Sequence, residues 1–188
     1  MTIHFTSDCH WHHKKIIQYS NRPFIDVDDM TEKMIKNWNV QVAPTDTVYH
    51  LGDFAFAKID KIEKILSRLN GTKHFINGNH DKEVKYNRNR LIDGGFVKSI
   101  KDYDEITIDN QFIVLFHYGC RVWNRSHRNS WLLYGHSHSS LPPFGKSVDV
   151  GADSTWITGK AEYRPFSFHE IKKFMDTQPI SVVDHHGA

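Results

Sequence analysis

An α/β fold is predicted, with helices and strands alternating early and strands dominating late. Three observations predict it. In the first half, short apolar and β-branched runs are separated by stretches of helical periodicity. In the second half, similar runs are separated only by short turns. Asp, Asn and His residues fall just after several of these runs, as they do when a sheet carries a site outside its strand ends.

The elements follow in order. Ile3–Ser7 reads as the first strand. Asp28 to about Val40 reads as a helix: Met30, Met34 and Trp38 recur every four residues, and Asp28 or Asp29 can cap its start. Thr47–Leu51 is a short apolar strand. Lys58–Leu69 is a second helix with Ile59, Ile62, Ile65, Leu66 and Leu69 on one face and Gly71 just past its end. Lys73–Ile76 is the next strand. Glu105–Ile108, Phe112–Phe116, Trp131–Tyr134 and Ser147–Val150 read as further strands, with Asp109-Asn110 as a hairpin turn between the first two. Ser167 and Glu170 form a capping box for a last helix running through Phe174. The 188 residues are expected to form one domain, with 180–188 as a loose tail that includes His185 and His186.

Composition narrows the class. Hydrophobic residues make up 39% and charged residues 24%, ordinary values for a globular protein in water. No apolar run approaches the ~18 residues of a membrane span. The start, MTIHFTSDCH, has no basic leader, so a cytoplasmic location is expected. A net charge of only +2 argues against packaging nucleic acid by bulk charge, though not against a nucleic-acid substrate. Cys9 and Cys120 have no metal-knuckle spacing and make no disulfide framework. They read as small side chains beside the site rather than ligands. Histidine is in excess at fourteen, and neutral imidazole is the commonest metal ligand. Position must therefore decide which histidines matter.

Asp8 and His10 follow the first strand, and Gly52-Asp53 the second. Gly78-Asn79-His80-Asp81 follows the third. His117 ends the Phe112–Phe116 strand, and Gly135-His136-Ser137-His138 follows Trp131–Tyr134. Scattered histidines would fall in helices and mid-strand as well. Asp8 and His10 are two apart, as are His136 and His138, so each pair can face one ion from an extended turn. Taken singly, each Asp could be a cap or turn former, Asn79 a turn residue, His117 a core histidine and His80 a further ligand. Carboxylate, amide oxygen and imidazole donors suit Mn, Fe, Zn, Co or Ni better than a thiolate-seeking metal.

In this order, the Asp-Cys-His, Gly-Asp-Phe, Gly-Asn-His-Asp, lone His117 and Gly-His-Ser-His motifs resemble the calcineurin-like metallophosphoesterase superfamily, across positions 8 to 138. Asn21-Arg22-Pro23-Phe24, Val48 through Ala55 and Tyr134 through His138 resemble, more narrowly, a small bacterial and phage branch of phosphoesterases. Arg164-Pro165, Ser167 and Glu170 fit the C-terminal end of that branch. Gly119 stands where the branch has proline and Asn129 where glycine is common, which bears on the shape of the 119–130 loop.

The resemblance implies a four-layer α/β/β/α sandwich of two mixed β-sheets flanked by helices, with a metal site at the strand ends. It implies two divalent metal ions, manganese foremost. Asp8, His10 and His138 would hold the first, Asn79, His117 and His136 the second, and Asp53 would bridge them. His80 would face the scissile phosphate and protonate or stabilise the leaving oxygen, oriented by Asp81. The chemistry is coherent: two metals roughly 3.5–4 Å apart offset the negative phosphate oxygens and generate hydroxide near neutral pH. A histidine of near-neutral pKa suits the leaving group. The expected reaction is in-line attack of a metal-bridging hydroxide on a phosphodiester or phosphomonoester. A protein phosphatase of the same superfamily and a non-catalytic scaffold retaining the fold are the alternatives, and the full ligand set argues against the scaffold.

His13, Arg22, Arg121, Arg125 and His127 are candidate substrate contacts. The last three accompany Trp123 in a basic stretch after His117, which suggests a nucleotide or nucleic-acid end as substrate. Lys82, Lys85, Arg88 and Arg90 form a second basic stretch after His80. Neither a membrane nor an obligate protein partner is expected.

Overall fold

The computed structural model describes residues 1–183, so the expected tail from 184 onward lies outside the described residues. The first half runs β1 (Ile3–Thr6), α1 (Ile16–Tyr19), α2 (Val27–Gln41), β2 (Thr47–His50), α3 (Ile59–Leu66), β3 (Thr72–Ile76), α4 (Lys82–Tyr86), α5 (Arg88–Asp93) and β4 (Ser99–Lys101). The second runs β5 (Asp104–Ile108), β6 (Gln111–Leu115), a 3-10 turn at Ser126–Arg128, β7 (Trp131–Tyr134), β8 (Ser147–Asp149), β9 (Phe166–Ser167) and α6 (Phe168–Asp176).

Two mixed sheets result. One has the order β4-β3-β2-β1-β9, parallel except for the antiparallel β9. The other has the order β5-β6-β7-β8, with an antiparallel β5–β6 hairpin and parallel pairs beyond it. This is the expected α/β architecture of two mixed sheets flanked by helices. The hairpin turns at Asp109 and Asn110, which both have positive φ (48° and 65°), as a two-residue type I′ loop requires.

Strand alternation sorts the core. Ile113 and Leu115 of β6, with Trp131 and Leu133 of β7, face the first sheet and pack with Phe5, Phe166 and the α6 residues Ile171 and Met175. Val114, Leu132 and Tyr134 point the other way, under Trp123. On the far side of the first sheet, Val48, Phe75 and Ile100 meet Met30, Met34 and Trp38 of α2 and the isoleucines of α3. All five apolar residues expected on the α3 face are buried, Leu69 just beyond the helix.

One cap differs from expectation. Asp26, not Asp28 or Asp29, caps α2: its side chain accepts from the Asp28 and Asp29 backbone amides at 3.0 and 2.8 Å. Asp26 is extended (φ −155°) whereas Asp28 and Asp29 already lie in the first turn, and only an extended residue can turn its oxygen back to those amides. Asp26→Ala should therefore cost about 1 kcal/mol in urea or thermal melts. Asp28→Ala should cost less, because it removes only a charge near the helix start.

Candidate metal centre

The loops after β1, β2 and β3 leave the same end of the first sheet, and those after β6 and β7 the same end of the second. A parallel bridge between Ser7 and Gly151 joins the two sheets at that end. Asp8, His10, Asp53, His136 and His138 all take left-handed backbone angles, with φ of 53°, 52°, 55°, 68° and 46°. Such residues cost on the order of 1–3 kcal/mol each and cluster where structure serves a site. Asp and His adopt them more readily than most side chains. Close approach also requires glycine: a Cβ on Gly78 would lie 2.2 Å from Asp53 Oδ1, and one on Gly135 would lie 2.0 Å from Ser7 Oγ.

These turns gather two groups of potential ligands, Asp8–His10–His138 and Asp53–His117–His136, each with its ligand atoms within 4.8 Å of one another. Asp53 faces both groups. Its Oδ2 lies 3.6 Å from His10 Nε2, and its Oδ1 lies 3.7 Å from His117 Nε2. Asn79 joins the second group, with Oδ1 3.1 Å from His117 Nε2.

The surroundings fix which nitrogens face inward. His117 Nδ1 is 2.7 Å from the Leu51 carbonyl, which can only accept, so Nδ1 carries the proton. Burial lowers the His117 pKa, which favours the neutral ring, and with the proton on Nδ1 the Nε2 lone pair faces the Asn79 and Asp53 oxygens. His138 Nδ1 likewise meets Asp153 Oδ2 at 2.6 Å, leaving Nε2 on the Asp8 side. Burial, then the neighbouring His138 and Arg22, also depress His10. Asp8 Oδ1 and both ring nitrogens of His10 are buried with no hydrogen-bond partner among the described residues. Burial, with Asp149 and Asp53 nearby, holds the Asp8 carboxyl well above its usual range. A His117 lone pair facing the Asn79 and Asp53 oxygens, and buried polar atoms without partners beside Asp8 and His10, fit divalent cations.

Several expected roles change. Asp81 does not engage the His80 ring. Its Oδ2 accepts from the Asp53 and Gly78 amides at 2.7 and 2.8 Å, and its Oδ1 from the Phe54 amide at 2.8 Å. Burial nevertheless pushes its carboxyl up to about 6. Asp81 therefore ties the Asp53 loop to the Gly78 loop. Arg22 is no substrate contact, being buried. It forms a two-pronged pair with Asp153 at 2.8 and 2.7 Å and donates to the Asp8 and Cys9 carbonyls at 2.7 and 2.9 Å.

A cavity of about 970 Å³ opens over the ligands, lined in part by His10, His13, Asp53, Asn79, His80, His136 and His138. Arg121, Arg125 and His127 are absent from its lining. The 119–130 loop folds back over the outer face of the second sheet, where Arg121 covers the Phe144 ring at 4.3 Å and Arg125 the Phe112 ring at 4.6 Å. Asn129 holds a left-handed φ of 63° there, which asparagine tolerates better than most residues in place of glycine. In the other basic stretch, Arg90 pairs with Glu63 and Asp60, and Lys85 lies 3.8 Å from Asp102. His4 and His74 are bonded to Asp46 and Ser99, away from the centre as expected of strand histidines.

Sequence reasoning missed Asp149 and Asp153. Asp149 accepts from the Ser139 and Gly151 amides at 2.9 and 2.7 Å, and Asp153 holds His138 and Arg22. The signal was present, since both lie at or just after the Ser147–Val150 run, as the ligands do after theirs.

A model of the calcineurin-like phosphoesterase superfamily domain matches residues 1–142. The chain belongs to the calcineurin-like phosphoesterase superfamily. An uncharacterised protein of Methanocaldococcus jannaschii is 31% identical over 183 residues, covering 93% of this chain and 91% of its own. A crystal structure of a protein of unknown function from Aquifex aeolicus is similar, with a TM-score of 0.69, 25% identity and coverage of 92% and 98% of the two chains. The structure of an archaeal phosphodiesterase shares the fold, with a TM-score of 0.53, 22% identity and coverage of 85% and 88%. The superfamily match includes every candidate ligand and leaves the carboxylates Asp149 and Asp153 outside the matched segment. No described helix of this superfamily member is long and apolar enough to cross a membrane.

The buried network makes two predictions. Arg22→Met leaves the buried Asp153 without its guanidinium partner, with only His138 still bonded to it, and should cost about 3–5 kcal/mol in denaturant melts. Asp153→Asn should weaken divalent-metal binding by roughly 10–100-fold in calorimetric titration, the usual scale for a group that orients a histidine ligand.

Proposed function

We propose that the chain is a dinuclear metal-dependent phosphoesterase that hydrolyses a phosphodiester or phosphomonoester by in-line displacement at phosphorus. One observation carries this reading: His117, whose Nδ1 donates to the Leu51 carbonyl, turns its Nε2 lone pair on the oxygens of Asn79 and Asp53, and His10 Nε2 lies 3.6 Å from the other oxygen of Asp53. Asp8, His10 and His138 would hold one cation, and Asn79, His117 and His136 the other. Asp53, with one oxygen toward each group, would touch both. Manganese suits these oxygen and imidazole donors, and iron, zinc, nickel or cobalt are the other candidates. When bound, such cations supply charge to offset the phosphate oxygens and lower the pKa of water. Because the ligands come from both sheets, we treat the two sheets as one working domain.

The chain's own groups do the rest. The His80 ring lines the cavity, 4.7 Å from the Phe56 ring and 5.9 Å from that of His10. Its backbone N–H donates to Asp53 Oδ1 at 2.8 Å, which fixes its loop relative to the shared ligand. In this reading a His80 ring N–H donates to the leaving oxygen, and Asp81 acts as a positioning residue through the backbone of its loop. No Ser or Cys nucleophile is required.

Turnover of bis-p-nitrophenyl phosphate by the full chain with Mn²⁺ tests the reading. A folded sample inert with Mn²⁺, Fe²⁺, Zn²⁺, Ni²⁺ and Co²⁺ toward phosphodiesters and phosphomonoesters alike would refute it. Asp53→Asn should remove bound metal and activity together, as read by elemental analysis and kcat. His80→Ala should retain the metal and lower kcat by roughly 10²–10⁴-fold, the scale of a lost acid–base group.

A further inference from the structure

We propose that the cavity contains a subsite for a nucleoside leaving group, with His13, Tyr19 and Phe56 as a stacking wall and Lys15 as the contact for a second phosphate. The inference rests on the phosphoesterase reading and names its substrate class.

Size comes first. The cavity of about 970 Å³ lies at the upper end of the ~300–1,000 Å³ typical of small-molecule sites, far beyond the needs of one phosphate group. Its lining is also unequal. The ligand side is polar, whereas the other side carries Ile16, Tyr19 and Phe56 beside His13. His13 lies flat on Phe56, with ring centroids 3.9 Å apart and planes at 13°. Tyr19 stands edge-on to His13 at 6.3 Å. Tyr19 is 70% and Phe56 39% exposed, an unfavourable placement of large rings that a planar ligand would relieve.

Orientation follows from His80. Phe56 packs on the His80 ring, so the wall stands on the side where His80 would protonate the leaving oxygen. The departing group is therefore the one that meets the aromatic rings. Lys15, from the turn that opens α1, is the one Lys or Arg among the lining residues, and it has no ion pair among the described residues. An amine beside exposed rings matches a base joined through its sugar to a further phosphate. Rings that recognise by stacking accept any base, so little preference among bases is expected.

The test uses the full chain with Mn²⁺ and two diesters whose leaving alcohols are similarly acidic, the methyl phosphodiesters of adenosine (through its 5′ oxygen) and of glycerol. Wild type should prefer the adenosine ester. Tyr19→Ala should lower kcat/KM on that ester by about 5- to 150-fold, the equivalent of one lost base stack, and leave the glycerol ester unchanged. Tyr19→Phe should retain the preference. Lys15→Ala should lower kcat/KM only when the adenosine ester also carries a 3′ phosphate. A second readout needs no turnover: metal-free wild type should quench the fluorescence of ethenoadenosine monophosphate, and Tyr19→Ala should not. Equal losses on both esters, or no quenching by wild type, would overturn the subsite. Quenching that depends on Tyr19, with neither ester nor bis-p-nitrophenyl phosphate hydrolysed, would keep the subsite and refute the phosphoesterase reading instead.

Discussion

Asp8, Asp53, Asp81, Asp149 and Asp153 are all buried around the end of the molecule where the bridge from Ser7 to Gly151 joins the sheets. Burying an ionised carboxylate costs several kcal/mol unless opposite charge or hydrogen bonds offset it. Much of the surrounding structure consists of such offsets. Asp81 takes three backbone amides, Asp149 takes two, and Asp153 takes the Arg22 guanidinium and His138. Asp8 and Asp53 each receive one amide, from His136 and His80, and keep an oxygen turned toward the inward imidazoles. The three satisfied acids form a rigid rim, and the two under-satisfied acids lie within it.

The rim explains the backbone. An amide can point at a carboxylate oxygen and its own side chain into the same hollow only if the chain turns sharply, and His136 does this at φ 68°. Strain at five left-handed ligand-type residues persists because the strand that precedes each turn is locked into a sheet with an apolar core. Gly78 and Gly135 let neighbouring loops approach more closely than any side chain would allow. Site precision thus rests on core packing and on oriented partners rather than on the candidate ligands alone.

The proposed chemistry and the proposed selectivity sit on different parts of this frame. Candidate ligands occupy the first residues beyond strands, where two sheets restrain them. The aromatic wall comes from His13 in the turn before α1, from Tyr19 of α1, itself only four residues long, and from Phe56 between β2 and α3. Short surface elements can change without disturbing the core. A fold of this kind can therefore keep one reactive centre while its wall is altered to suit another leaving group.

Local pattern determined much of this protein. The four-residue recurrence of Met30, Met34 and Trp38 marked α2, continuous apolar runs marked β6 and β7, and the Asp, Asn and His residues at strand ends marked the candidate centre. These signals are legible because helix and strand periodicity is written in neighbouring residues. β4, β9, α1, α4 and α5 were not legible, since the two strands carry no apolar run and helices of four to six residues establish no period. Only the tertiary structure decided what Arg22 does, because its partner Asp153 lies 131 positions away and meets it through the junction of the sheets. It also carried Arg121 and Arg125 away from the cavity onto Phe144 and Phe112, and turned Asp81 to the amides of its neighbours. The order of ligand types is a property of the chain itself. Which charges are buried together, and hence which must be offset, is a property of how two sheets meet.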